Sequence, residues 1–243
     1  MEQTASHITR MPNLSERAAT ALTEEIINGR YKLGQKLVET EVASALGISR
    51  ATLREALSGL AREGLVIQRQ GRGSFVASPT EGELAELAFF RASLESTAAR
   101  LIVRNRPPGV LTALRKHADK AEAAVDRNDL RRFRDHVWQY HLRLMEGGGN
   151  RFALQAWLSI SNLFRLYISR LESSPVEAST VICHLRSFVR ALEGDDPDLA
   201  EQLVKSMIIF VSFAYSGRQV SAVYAPYVTH NVGANGEILE FHS

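Results

Sequence analysis

The stretch GISRATLREALSGLAREGLV, residues 47–66, decides the fold of the N-terminal part of this chain. As an α-helix it places Arg50 and Arg54 on one side, because residues four apart share a helix face. Apolar residues recur at helical spacing through the same segment: Leu53, Ala56, Leu57, Leu60 and Ala61. Ser49 is suited to accept the free amide hydrogens at the start of the helix. The pattern predicts a helix that packs on its leucine side and meets an anionic partner on its arginine side.

Two further helices and a small β hairpin are predicted around this segment. Apolar residues recur at helical spacing from Leu14 to Asn28, and a shorter helix ends at Gly47. A Gly-Ile-Ser turn joins the shorter helix to the arginine-bearing one, as in a helix-turn-helix. The β-prone runs LVIQRQ and GSFVA then flank Gly71-Arg72-Gly73. Residues 1–78 are therefore predicted to form a winged helix-turn-helix, three helices with a small β wing.

Basic charge is concentrated in the same segment. The whole chain carries 29 Lys and Arg against 27 Asp and Glu, and the excess lies entirely within residues 1–78. Between Ser49 and Val76, five arginines stand against only Glu55 and Glu63. The five are Arg50, Arg54, Arg62, Arg69 and Arg72. A local basic surface suited to nucleic acid is one interpretation, and an ordinary solvated face is the other.

The rest of the chain shows helical periodicity interrupted by cap and break signals. Ser78-Pro79 marks a domain boundary, and Thr80 to Glu83 has the pattern of a capping box. Six amphipathic helices are predicted over residues 79–217. Their boundaries are marked by Pro107-Pro108, Asp129, Gly147-Gly148-Gly149, Ser174-Pro175 and Asp196-Pro197. The predicted fold class is mainly α, with an antiparallel all-α bundle of about six helices following the winged unit.

The last segment, residues 218–243, has no single prediction. It is β-prone but contains Pro226, and Asn235-Gly236 is able to turn a hairpin. An unstructured tail is favoured over an ordered strand pair.

Composition excludes several classes of protein. The single cysteine, Cys183, excludes an intramolecular disulfide framework, and the first ten residues lack the apolar core of a signal peptide. No apolar run approaches the roughly 20 residues that cross a bilayer. We therefore expect a soluble cytoplasmic protein with no membrane partner. A nucleophile–base pair and a phosphate-binding loop are also missing, so no enzyme activity is expected.

From Lys32 onward, KLGQKLVETEVASALGISRATLREALSGLAREGLVIQRQGRGSFV resembles the winged-helix domain of GntR-type bacterial transcription regulators. The major groove of B-form DNA admits one helix, and the phosphates along its edges attract arginine. The resemblance implies double-stranded operator DNA as the partner and a homodimer, because each winged helix reads one half-site. The residues that it places at the operator are Ser49, Arg50, Thr52, Arg54, Gln70 and Gly71. Arg72, between two flexible glycines, is able to approach the DNA backbone or the minor groove.

The C-terminal helices resemble the FadR-type effector domain of the same superfamily, the FCD domain. The motifs that carry this resemblance are FRASLESTAARL, YHLRLMEGGGN and RALEGDDPDLAEQL. Many such domains hold a divalent metal through an aspartate and three histidines, and here only His141 stands at one of those positions. The others hold Val137, Leu185 and Met207, which cannot replace carboxylate or imidazole ligands. No metal cofactor is therefore expected.

A metal-free pocket for a small organic effector is then the expectation for the bundle. His141 and His184 are candidates to line it, and a hydrogen-bonded core position is the alternative for each. If the effector is an organic acid or a phosphate ester, Arg143, Arg165 or Arg170 is able to anchor its anionic group. Each of these arginines is equally able to be an ordinary surface residue.

The sequence as a whole favours a one-component transcription regulator, a repressor that leaves its operator when a small metabolite occupies the bundle. An architectural DNA-binding protein without effector control is one alternative. A helical-bundle metalloenzyme with an accessory DNA-binding module is another, and the incomplete ligand set argues against it.

Overall fold

The chain forms two compact units that divide between residues 78 and 79. The computed structural model describes residues 11–78, 80–170, 175–214, 230–232 and 238–240. The N-terminal unit combines helices with a small sheet, whereas the C-terminal unit is built mainly of helices.

The N-terminal unit contains three helices and a three-stranded antiparallel sheet. They are α1 (Leu14–Ile27), β1 (Lys36–Leu37), α2 (Glu39–Leu46), α3 (Arg50–Arg62), β2 (Val66–Arg69) and β3 (Gly73–Val76). The strand order is β1-β3-β2, with Val66 opposite Val76 and Arg69 opposite Gly73. The predicted winged helix-turn-helix is confirmed.

Local signals in the sequence set the ends of these helices. The Asn13 side chain accepts a hydrogen bond from the Glu16 amide and the Glu16 carboxylate accepts one from the Asn13 amide, a capping box before α1. Gly47 ends α2 with φ 65°, a left-handed conformation that glycine adopts without steric cost. Ser49 caps α3, as predicted. The apolar sides of α1 and α3 and the residue that precedes β2 contribute the buried leucines and isoleucine of this unit: Leu22, Ile26, Leu53, Leu57, Leu60 and Leu65.

The short strand β1 is an addition to the predicted hairpin. The Gly34 amide donates to the Val76 carbonyl at 3.1 Å, and the Val76 amide donates to the Gln35 carbonyl at 2.9 Å. These bonds hold the segment after α1 against β3. A two-residue strand has too little periodicity for the sequence to reveal it.

The C-terminal unit contains the six predicted helices. They are α4 (Glu81–Asn105), α5 (Val110–Asp126), α6 (Leu130–Gly147), α7 (Arg151–Arg170), α8 (Pro175–Glu193) and α9 (Pro197–Ala214). Helix α4 contacts α6, α7, α8 and α9 and so lies at the centre of the bundle. The largest buried side chains of this core are Ile102, Leu114, Tyr140, Trp157 and Phe188.

The junction between α4 and α5 differs from the prediction in its detail. Helix α4 ends at Asn105, and Arg106 takes a left-handed conformation with φ 47°. Its guanidinium donates to the carbonyls of Leu192 and Glu193 at 3.0 Å, which fixes this conformation at the end of α8. Because Gly109 also has a positive φ, α5 begins at Val110 and not at the prolines.

A strand pair occurs in the segment for which an unstructured tail was favoured, so that prediction was wrong for the residues of these strands. Strands β4 (His230–Val232) and β5 (Ile238–Glu240) pair antiparallel, with Asn231 opposite Leu239. Strand β4 lies against α8 and α9. The Asn235-Gly236 turn proposed for this hairpin lies outside the described residues. Across the described parts of the chain, none of the helices combines the length and apolarity needed to span a membrane.

Candidate nucleic-acid interface and buried bundle site

Helix α3 presents the two predicted arginines to solvent. The side chains of Arg50 and Arg54 are 59% and 60% exposed, whereas Leu53 and Leu57 of the same helix are fully buried. The leucine side anchors the helix in the N-terminal core. The guanidinium groups are therefore free of the core and available to an external anion.

The start of α3 adds hydroxyl groups to the same surface. The Ser49 Oγ accepts a hydrogen bond from the Thr52 amide at 3.1 Å and lies 2.8 Å from the Thr52 Oγ1. The first turn of a helix carries a partial positive charge and unpaired amide hydrogens, which favours phosphate nearby. Ser49 and Thr52 thus stand beside Arg50 and Arg54 where a DNA backbone would be attracted.

A carboxylate that the sequence analysis did not single out lies between the two arginines. The Arg54 Nε donates to the Glu39 Oε2 at 2.8 Å, and the Arg50 Nη2 lies 3.9 Å from the same oxygen. Glu39 is the first residue of α2. Its sequence distance of 15 residues from Arg54 conceals the pairing, which arises only when the helix-turn-helix brings the starts of α2 and α3 together.

The turn of the wing exposes the remaining predicted residues. Gln70, Gly71 and Arg72 connect β2 to β3 and are all exposed, and Gly71 has φ 69°. The Arg72 amide donates to the Arg69 carbonyl at 2.9 Å, which closes the turn. The guanidinium of Arg69, in contrast, packs over the Phe75 ring, 5.0 Å from the ring centroid.

Inside the bundle, a fully buried carboxylate receives three hydrogen bonds. The Glu95 Oε1 accepts from the Arg91 Nε at 2.6 Å and from the Trp157 Nε1 at 2.8 Å. The Glu95 Oε2 lies 2.6 Å from the Nδ1 of His141. Glu95 itself is 0% exposed. The cluster joins α4, α6 and α7, and we call these four residues the Glu95 cluster.

The charges in the Glu95 cluster follow from its pKa shifts. Burial by itself would raise the pKa of Glu95, but Arg91, His141 and Trp157 outweigh it and lower the pKa to about 2. Burial lowers the pKa of His141, and Arg91 adds to this effect while Glu95 opposes it. A neutral His141 then donates its Nδ1 hydrogen to Glu95, and Arg91 is the cation that keeps the carboxyl ionised.

Arg91 has unused donors although it is almost completely buried. Its side chain is 7% exposed, and its guanidinium carbon lies 4.1 Å from the centroid of the Phe164 ring and 6.0 Å from that of Trp157. Among the described residues, only its Nε has a hydrogen-bond acceptor, Glu95. A buried guanidinium whose two Nη atoms have no acceptor in the described part of the chain is suited to an anionic ligand.

Sequence reasoning missed Arg91 and Glu95, although a signal was present. The buried side of α4 includes Leu84, Ala88, Ala92, Glu95 and Ala99. A carboxylate within an apolar stripe, with an arginine four residues before it, indicates a buried ion pair. The FRASLESTAARL motif contains both residues, and the sequence analysis used it only for the family resemblance.

The structure distributes the predicted effector residues over different places. His141 and His184 are both buried, and only His141 belongs to the Glu95 cluster. Arg143 is partly exposed and pairs with Glu146 in its own helix, so it does not point into the bundle with Arg91. Arg165 lies over the Trp138 ring at 4.9 Å and 3.6 Å from Asp135. The side chain of Arg170 lies outside the described residues.

The positions that correspond to metal ligands in the resembling domains do not supply a ligand set in the described part of the chain. Leu185 and Met207 are buried apolar residues, and Val137 packs against the same core. No group of three or more His, Cys, Asp or Glu suited to a metal occurs among the described residues. His136 packs beside His117, with ring centroids 5.8 Å apart, and is not part of the Glu95 cluster. The residues present therefore do not fit the metal of the resembling domains.

Two family models match the chain, one in each unit. The model for bacterial regulatory proteins of the gntR family matches residues 14–76, and the model for the FCD domain matches residues 86–209. The second match spans just over half of the chain. Its start lies within α4 and its end lies within α9.

Three similar proteins each match three quarters or more of this chain. The chain is 27% identical over 240 residues to the "Probable D-xylose utilization operon transcriptional repressor" of Paenarthrobacter nicotinovorans, with 96% of each chain covered. It is 23% identical over 188 residues to the gluconate operon transcriptional repressor of Bacillus licheniformis, with 75% of this chain and 77% of that one covered. The solved structure of E. coli McbR/YncC shares the fold, with a TM-score of 0.75 at 19% identity over 85% of this chain and 99% of that one.

Proposed function

The chain belongs to the gntR family of bacterial regulatory proteins and carries an FCD domain, and on that basis we propose how its two units act. The protein is a DNA-binding transcription regulator, and its relatives are regulators and not enzymes. We propose that it is a cytoplasmic, homodimeric repressor whose affinity for operator DNA is controlled by an organic acid bound inside the FCD domain. The observation that carries the effector part is the pair of Nη atoms on buried Arg91, which have no hydrogen-bond acceptor among the described residues.

The proposed DNA contacts are those of the surface formed by α3 and the wing. Arg50 and Arg54 would reach base edges and phosphates from the exposed side of α3, with Ser49 and Thr52 at the phosphate backbone. Gln70, Gly71 and Arg72 would contact DNA from the wing. The high exposure of both α3 arginines supports this arrangement. A dimer would place two such surfaces on the two half-sites of a pseudo-palindromic operator.

The proposed effector site centres on Arg91. The carboxylate of Glu95 holds the Nε of this arginine, so the guanidinium is already oriented before a ligand arrives. A ligand carboxylate would accept two hydrogen bonds from the Nη atoms, the geometry in which arginine binds carboxylates best. Phe164 and Trp157 would border the ligand with aromatic surface. The name of the B. licheniformis relative also supports this class of ligand, because gluconate is a sugar carboxylate.

A melting-temperature screen tests the effector class. Gluconate and other sugar acids or hydroxy acids are compared with neutral sugars of the same carbon number. Both tryptophans, Trp138 and Trp157, belong to the FCD domain, so their fluorescence follows this unit alone. An acid at 100 times its dissociation constant should stabilise the unit by about 2.7 kcal/mol, which corresponds to a rise of roughly 5–10 °C.

The matched variants are Arg91→Lys, which keeps the charge but loses the planar fork, and Arg100→Lys on the bundle surface. We expect Arg91→Lys to weaken binding of the acid at least about tenfold, because lysine cannot donate two parallel hydrogen bonds. Arg100→Lys should leave binding unchanged. The proposed site would be contradicted if the acid raised the melting temperature of the Arg91→Lys protein as much as that of wild type. A rise in melting temperature with the neutral sugars alone would contradict it too.

We also propose that the FCD domain of this protein works without a metal ion. The apolar residues at positions 137, 185 and 207, which offer no carboxylate or imidazole ligand, support this proposal. Elemental analysis of the purified protein is expected to find well under one equivalent of zinc, nickel or manganese. A stoichiometric metal that disappears in His141→Ala would overturn it.

A further inference from the structure

We propose that Glu39 determines the sequence specificity of DNA binding by holding Arg54 in a base-reading orientation and by opposing non-selective phosphate binding. This inference rests on the proposed role of Arg50 and Arg54 at DNA. Glu39 is not among the residues expected to contact the operator. Its function would be to act on the two arginines that do.

The geometry assigns different parts of the Arg54 guanidinium to different partners. The Nε donates to the Glu39 Oε2 at 2.8 Å, and among the described residues the two Nη atoms have no hydrogen-bond acceptor. The Nη edge is therefore left for an external ligand. A guanine offers O6 and N7 side by side to such an edge, so a matching base pair can bind without displacing Glu39.

Glu39 opposes the binding of phosphate to the same two arginines. The carboxylate lies within 3.9 Å of both guanidinium groups, and its side chain is only 26% exposed. A phosphate that approaches either arginine from this side meets a like charge and must compete for the same nitrogens. A random duplex offers mainly phosphates, so Glu39 should weaken binding to it more than binding to a matching operator.

A purely structural role for Glu39 is the alternative. An acidic residue in the first turn of α2 stabilises the helix through its dipole, and the N-cap residue Val38 provides no side-chain cap. Glu41 lies in the same first turn. Replacing Glu41 removes the same charge from the same helix end, but Glu41 has no ion pair with the α3 arginines among the described contacts. The Glu41→Ala protein is therefore the matched control.

The experiment uses the full-length protein and two DNA probes. Wild-type protein first selects a preferred duplex from a random pool, and a shuffled duplex of identical composition is the second probe. Dissociation constants are measured for Glu39→Ala, Glu39→Gln and Glu41→Ala at one salt concentration. Far-ultraviolet circular dichroism checks that each variant is folded, and Glu39→Gln keeps an oxygen acceptor if Glu39→Ala is unstable.

We expect Glu39→Ala to bind the shuffled duplex about tenfold more tightly than wild type does. It should bind the selected duplex no more tightly than wild type, since a well-oriented arginine–guanine pair is worth roughly 5- to 150-fold in discrimination. Its ratio of selected to shuffled affinity should fall at least about tenfold. Glu39→Gln should lie between the two proteins. Glu41→Ala should change both affinities by the same factor and leave the ratio unchanged.

Two results would overturn the proposal, and they are distinguishable. If Glu39→Ala and Glu41→Ala have the same selectivity ratio, Glu39 acts only through general charge or helix stability, while the DNA-reading surface stands. If the wild-type protein enriches no sequence from the pool, the proposed operator recognition fails as well.

Discussion

Replacing Glu95 by alanine is expected to lower the free energy of unfolding of the FCD domain by about 3–5 kcal/mol, because it leaves a buried arginine without its counter-ion. Arg91 would remain 7% exposed with no acceptor for its Nε, and the Trp157 Nε1 and His141 Nδ1 would lose their acceptor as well. Desolvated donors without partners add to the loss.

Urea unfolding followed by tryptophan fluorescence measures this effect in the domain that contains both tryptophans. The matched control is Glu201→Ala. The Glu201 carboxylate also accepts from an arginine Nε, that of Arg100 at 2.5 Å, but this pair is at the surface. Removing this surface pair should lower the free energy of unfolding by under about 1 kcal/mol. Similar losses for the two variants would show that the Glu95 cluster contributes no more than a surface pair.

The same cluster predicts a pH dependence. The pKa of Glu95 is lowered in the folded state from an ordinary value of 4.5 to about 2. A depressed carboxyl pKa contributes stability that is fully present above 4.5 and is lost as the pH falls through the folded value. The double variant Arg91→Met with Glu95→Leu should therefore lose part of the acid sensitivity between pH 4.5 and 2 while recovering much of the stability lost in Glu95→Ala.

Replacing Arg54 by alanine is expected to weaken binding to the selected duplex by about 5- to 150-fold, the range for one arginine that forks to a guanine. Arg50→Ala should cause a loss of similar size if Arg50 reads a base, and a smaller loss that is uniform across sequences if it contacts phosphate. Neither change removes a core side chain, since both arginines are about 60% exposed, so the fold should be unaffected.

Fluorescence anisotropy over a series of salt concentrations separates these roles. Loss of one phosphate contact reduces the slope of log K against log salt by about 0.9, whereas loss of a base contact reduces selectivity. Arg62→Ala is the control, because this exposed arginine lies in the last turn of the same helix and carries the same charge. Equal effects of Arg54→Ala and Arg62→Ala would show that α3 contributes charge and not recognition.

Elements with short-range causes were predictable from the sequence. The leucine side of α3, the Ser49 cap and the end of α2 at Gly47 each depend on residues within about one helical turn. The Thr80–Glu83 capping box at the start of α4 is of the same kind. Less regular features escaped prediction, such as β1, which is held by bonds to a strand nearly 40 residues later in the chain.

The sequence by itself determined the two-part fold, the family and the polar side of α3, because helical periodicity and capping residues act over a few positions. Only the tertiary structure decided which charges meet. Glu39 lies 15 residues before Arg54, and Glu95 lies 46 and 62 residues before His141 and Trp157. A charged side chain is stable in a core only beside partners that packing brings from other helices, so its role follows from those neighbours and not from its place in the sequence.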